Sequence, residues 1–289
     1  MGSEMCIRDR SDADLTQADL TGANLSNTKL AGAKLTQANL SETIIRNTDL
    51  RGTKLDQTMF TKAILFGVNL SGLDLTDLNW EGVEITASNL SGAILTGLNF
   101  ENGFCDKTEF VKADLRNANF TKAEMYRVNF IGANLQGALL SQAMLARAKL
   151  TGAQLHHADL SQADLSNADL SDASLAKANL QKAVLNKAVL KGADLQSTNL
   201  SGTSLSGTSF TRANLRGANL IDAVVGDQGR IMSTGNPDFP LLYPTEVAGA
   251  VCDQATQLPH KLRCRNPVSY THLRAHETSL HLVCRLLLE

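Results

Sequence analysis

Cysteine, histidine and clustered carboxylates are the side chains with which a chain of 289 residues would do chemistry, and their spacing is where its reading starts. Cys105, Cys252 and Cys264 lie in the body of the sequence without metal-ligand spacing. His156 and His157 are adjacent, and no other histidine falls between residues 11 and 225, so a metal shell has too few partners there. Both are read as solvated surface residues. Cys105 occupies a position that is apolar in every neighbouring unit, as a small buried hydrophobe does. Cys252 and Cys264 are open between pairing and remaining free. The carboxylates come singly rather than as paired acids, and Trp80 aligns with other aromatics as part of a stack. No phosphate-cradling glycine loop and no nucleophile–base–acid set is present. The expectation is a protein that is not an enzyme, with no catalytic residue, metal or cofactor and no small-molecule substrate.

The elements that would position these residues are set by a repeat. From Leu15 to Val225 an apolar residue falls on every fifth position, 43 in all, of which 31 are leucine. Two residues before each such centre stands a small one (Ala13, Ala18, Ala23, Thr28), with a polar residue, often Asp or Asn, between them. The pattern Ala-(Asp/Asn)-Leu-x-x over residues 13–225 resembles the pentapeptide-repeat family. That resemblance implies an all-β fold, a right-handed quadrilateral β-helix of about 10–11 coils.

The residues themselves agree. In extended chain, side chains two apart point the same way, so the small residue and the centre both face inward. The remaining two positions must turn a corner, since five fits neither a straight strand nor a 3.6-residue helix. Proline, which would remove a ladder donor, is absent before residue 237. Departures from leucine recur every twenty residues: Phe60, Trp80, Phe100 and Phe120; Ile85, Cys105 and Met125; Phe110 and Phe130. Four pentapeptides therefore make a coil, and the stacked coils make a rod on the order of 50 Å long. One coil, 68–87, carries Val68, Leu73, Leu78 and Val83 in the small inward slots and is expected to be wider than the alanine-lined coils of 133–193.

Residues 1–10 and 268–289 resemble translated sequencing-library adapter. One DNA string yields VSYTHLRAHET from Val268, and its reverse complement, begun at a GTG start codon, yields the first nine residues and the first two bases of an Arg codon. The organisation expected is thus repeat over 11–225, then 226–267 as a loop and a possible capping helix from Pro244 to Leu258. The formal net charge of −2 implies neither a nucleic-acid-binding surface nor a strongly acidic decoy. No stretch approaches the roughly 20 apolar residues of a membrane span. The cytoplasm is favoured, but with the native N-terminus set aside the compartment stays open.

Function then rests on the four outer faces, named here by their first centres. Their charges, counted by pentapeptide, are −1, −3, +1 and +2 for the Leu15, Leu20, Leu25 and Leu30 faces. Some members of the family bind a topoisomerase (gyrase) by imitating DNA. Rod shape favours that alternative and the lack of a strongly acidic face argues against it. The Leu20 face carries mainly Asn before its centres, whereas the Leu25 face carries Ile44, Ile64, Phe104, Met144 and Val184, alternating from Ile64 with Glu84, Glu124 and Asp164. Phe66 and Tyr126 project from the same side, and Lys107, Arg127, Arg147 and Lys187 run beside them. An apolar strip with polar surroundings is the expected signature of an interface. The candidate interaction face is therefore Ile44, Ile64, Phe66, Phe104, Tyr126, Met144 and Val184, for a protein partner or a homodimer.

Overall fold

The computed structural model describes residues 12–224 together with 252 and 255–257. Both adapter-like ends and most of the expected capping segment lie outside the described residues.

Each pentapeptide folds by a local rule. The second residue after a centre adopts a left-handed backbone, as in Gln17 (φ 60°), Gly22 (φ 66°) and Lys107 (φ 56°). The next N–H then reaches back to the centre's carbonyl, Ala18 N to Leu15 O at 3.0 Å, closing a turn whose third residue has positive φ. The Asp or Asn before the centre fixes the corner, because its Oδ1 accepts the N–H two residues on: Asp14 from Thr16 at 3.1 Å, Asn39 from Ser41 at 3.0 Å. That is why Asp and Asn fill this slot.

Coils stack as parallel ladders. Lys34 N donates to Ala13 O at 2.9 Å and Leu15 N to Lys34 O at 2.8 Å, and bridges throughout the repeat join residues twenty apart. Three bridges on the Leu25 face lengthen into strands, β1 (Ile44–Arg46), β2 (Ile64–Phe66) and β3 (Glu84–Thr86), ordered β1-β2-β3. Ile44 pairs with Ile64, which pairs with Glu84. Ile44, Ile45 and Ile64 are β-branched and favour strand. A hydroxyl at the end of this corner bonds backbone: Thr48 Oγ1 donates to Leu25 O at 3.0 Å, and Ser88 Oγ accepts from Val68 N at 3.0 Å.

The inward columns form one continuous core of stacked Leu and Ala. Each buried leucine stabilises by roughly 1.5–3 kcal/mol. Phe60 and Trp80 stack with centroids 5.9 Å apart, and Phe120 meets Phe110 and Phe130 at 6.1 and 6.0 Å, so the columns of the opposite Leu20 and Leu30 faces touch across the interior. Threonines in the small slots satisfy their own hydroxyls, as Thr108 Oγ1 does on Ile85 O at 2.7 Å. Among the described residues no buried side-chain polar atom lacks a partner.

Bulk in the small slots breaks the ladder. Among the described residues, bridges join every successive coil except Lys54 to Asp74 on the Leu15 face and Asn79 to Asn99 on the Leu20 face. Both gaps flank the segment 73–80, where Leu73 and Leu78 are only half-buried. Here the corner residue Asp77 leaves the left-handed region that all other corner residues of the repeat occupy, and the Trp80 indole N–H reaches Leu75 O at 3.4 Å. Alanine-lined coils carry no such gap.

At the far end, a segment beyond the repeat supplies another rung. Gln257 bridges Asn219 in parallel, its N–H donating to Ala218 O at 2.7 Å while Leu220 N donates to Gln257 O at 2.6 Å. Thr256, buried, donates to Leu215 O at 2.9 Å. Residues 255–257 are therefore not helical, in contrast to the helix expected there. They present backbone donors and acceptors to the open edge that a helix cannot offer.

Candidate functional site

The candidate residues lie on one face because each occupies the same two slots of successive coils. Backbone pairing sets Ile44, Ile64, Glu84, Phe104, Glu124, Met144, Asp164 and Val184 in a single column, one rung apart. Phe66 ends β2 in the neighbouring column, and Tyr126 stands in that column three coils on.

Exposure divides them. Phe66 (44%), Phe104 (43%) and Met144 (53%) stand out into solvent, whereas Ile44, Ile64, Tyr126 and Val184 are half-buried. Tyr126 is held from above and beside: the Arg127 guanidinium carbon lies 5.1 Å and that of Arg147 5.8 Å from its ring centroid. Its N–H donates to Asp106 Oδ1 at 2.9 Å. Towards the other end, Ile64, Leu65 and Phe66 with Arg46, Glu84 and Thr86 line a shallow depression of about 310 Å3. The strip is not the sole apolar feature: Met59 (43%) and Leu139 (45%) interrupt the Asn column of the Leu20 face. Those two were legible as exceptions to that column.

The residues with chemical potential sit elsewhere. Cys105 is buried in the core, which pushes its thiol well above the ordinary range and makes it a poor nucleophile. Cys252 is disulfide-bonded. His156 Nε2 lies 2.8 Å from Ser174 Oγ on the outside of the rod, and His157 is exposed at a corner. Among the described residues no group of three His, Cys, Asp or Glu is placed to hold a metal. Asp49 and Asp114 are held below the usual carboxylate range by side-chain hydrogen bonds from Arg51 and Arg116, with ion-pair contacts of 2.7 and 2.6 Å. These exposed pairs brace corners and contribute little stability. No helix of the described residues is long and apolar enough to cross a membrane.

A family model described as pentapeptide repeats matches eight times, over residues 11–47, 43–77, 63–102, 105–135, 123–162, 153–192, 163–202 and 188–224. The chain belongs to the pentapeptide repeat family. Its fold is accordingly the right-handed, four-sided β-helix expected from the repeat. Among solved structures the pentapeptide-repeat chain is similar to HetL, a pentapeptide repeat protein involved in heterocyst differentiation regulation from the cyanobacterium Nostoc sp. strain PCC 7120. The two are 30% identical over 86% of this chain and 91% of that one, with a TM-score of 0.34. It is also similar to QnrB1, a plasmid-mediated fluoroquinolone resistance protein, at 19% identity over 80% and 94% of the two chains and a TM-score of 0.29. A pentapeptide repeat protein of the Arabidopsis thaliana thylakoid lumen is 26% identical over 59% and 83%, with a TM-score of 0.14. No curated protein matches in sequence.

Proposed function

We propose that this pentapeptide-repeat rod works by binding rather than by catalysis, presenting its Leu25 face to a protein partner or to a second copy of itself. The observation that carries the reading is the in-register column in which Phe104 and Met144 stand exposed, with Phe66 beside it, on a flat β-helix face. Such residues cost hydration free energy while exposed and recover it when covered. The same column spaces its carboxylates Glu84, Glu124 and Asp164 two rungs apart, which limits like-charge repulsion along the ladder.

The experiment is a triple change of Phe66, Phe104 and Tyr126 to Ser. All three side chains point away from the core, so the rod should keep its fold by circular dichroism while losing association. Sedimentation at high concentration reads self-association, and a pull-down from the native host reads a partner. A monomeric wild type whose captured proteins are unchanged by the triple variant overturns the proposal. Imitation of DNA towards a topoisomerase is the weaker reading, because the face charges run only from −3 to +2. Protection of the topoisomerase by the wild type would reverse that ranking.

A further inference from the structure

Beside the apolar column runs a ridge of unneutralised cations. Lys107, Arg127 and Arg147 occupy the corner position of three successive coils, all exposed and all with left-handed backbone (φ 56°, 60° and 60°). Elsewhere in the same column the slot holds Asn27, Asn47, Gly67, Asn167 and Gly207, residues suited to that backbone, together with Ala87 and a further cation, Lys187. Three like charges on adjacent rungs, ~4.8 Å apart, repel one another. Among the described residues none of the three forms an ion pair within 4 Å. Nearby acids are otherwise placed: Asp106 accepts the Tyr126 N–H, while Glu109 and Glu124 project from the flat faces on either side. Lys149, exposed on the adjoining face, adds to the positive side.

We infer that this ridge, with Tyr126 and the exposed Phe104 and Met144 next to it, binds an acidic protein segment that carries apolar side chains. The inference rests on the binding face proposed above and names the chemistry of its partner. Carboxylates of the segment meet the ridge, where the two guanidinium groups are already oriented over Tyr126 and lose little freedom on pairing. Its apolar side chains cover Phe104 and Met144, which flank Glu124 two rungs apart, ~10 Å, the span of about three residues of extended chain.

A second copy of the rod fits this part of the face less well. Antiparallel two-fold docking sets each column against itself with direction reversed, so a docking axis at Arg127 would put Arg127 on Arg127 and Lys107 on Arg147. Parallel docking sets the ridge against the other corner of the face, where Asn102, Lys122 and Gln142 oppose the three cations and Glu101 is the one acid beside them. A nucleic acid would satisfy the cations, but it leaves Phe104 and Met144 without apolar cover.

The test uses the full chain and three probes at near-physiological salt: a random glutamate–tyrosine copolymer, polyglutamate and a short duplex DNA. Two double variants are compared with the wild type, Arg127→Asn with Arg147→Asn, and Phe104→Ser with Met144→Ser. Asn is chosen because the corner column already accepts it at Asn167. Circular dichroism and melting temperature confirm that both variants stay folded. The wild type should bind the copolymer saturably and more tightly than polyglutamate, and each variant should weaken it by about tenfold. Absence of saturable copolymer binding, equal binding by the variants, or duplex DNA binding as tightly as the copolymer overturns the inference. If the copolymer fails while the native partner is still lost in the Phe66/Phe104/Tyr126 variant, the binding face stands and only its acidic partner is rejected.

Discussion

Gly103 shows how one atom is fixed by a neighbour in this fold. It stands in the small inward slot, which Ala fills in most coils, and its backbone needs no left-handed freedom. A Cβ built there overlaps the Phe100 ring, which in this coil lies against residue 103, although Phe60, Phe110, Phe120, Phe130 and Phe210 each leave room for an alanine three residues on. Gly103→Ala should therefore destabilise by about 1–3 kcal/mol, the usual penalty for overfilling a packed core. Adding Phe100→Leu should restore most of it, since Leu followed by Ala is the ordinary pairing, as at Leu160 and Ala163. Urea melts of the single and double variants check this. Equal stability of Gly103→Ala and wild type would mean that the ring moves freely aside. The small slot itself was plain from the repeat, but the need for glycine at 103 was not, because it depends on a ring three residues away.

At the level of the coil, the segment 73–80 is where the sequence's own rule is broken. Large residues at 73 and 78 were legible as a conflict, and a wider coil was the expected outcome. The structure's response includes two ladder gaps, an altered corner at Asp77 and half-exposed leucines. Ladder bonds yield there because the flanking coils hold the columns elsewhere in register. Changing Leu73 and Leu78 to Ala together should then cost less than the ~2–5 kcal/mol typical of one buried Leu→Ala, such as Leu155→Ala in the regular region. Amide exchange at Trp80 and Asn99 should slow in the double variant as the ladder closes. A loss as large as that of Leu155→Ala, with exchange unchanged, would show that both leucines carry core packing.

For the whole molecule, stacking makes stability nearly one-dimensional, so an end behaves as its own unit. The rung at Gln257 covers the last coil, where Leu215 and Leu220 remain buried. Gln257→Pro removes the donor to Ala218 O. Exchange of the Leu220 amide should accelerate by about tenfold or more, while amides of the central coils, such as Leu155, keep their protection. Uniform acceleration along the rod would show that the end is coupled to the middle rather than local.

The repeat carried the fold, the inward columns and the twenty-residue coil on its face, because each pentapeptide meets the same neighbours and a local rule is enough. Which residues share the candidate column was also legible, since a period of twenty assigns faces by arithmetic. Only the tertiary structure decided how far each candidate stands out: Phe66, Phe104 and Met144 are exposed, while Tyr126 is clasped by Arg127 and Arg147. It also decided that the rung after the repeat is a strand partner rather than a helix. Exposure, ring clasp and edge pairing each depend on side chains or backbone brought together from different coils. A period fixes which positions are neighbours, and the shapes and hydrogen-bonding needs of those neighbours fix what they do.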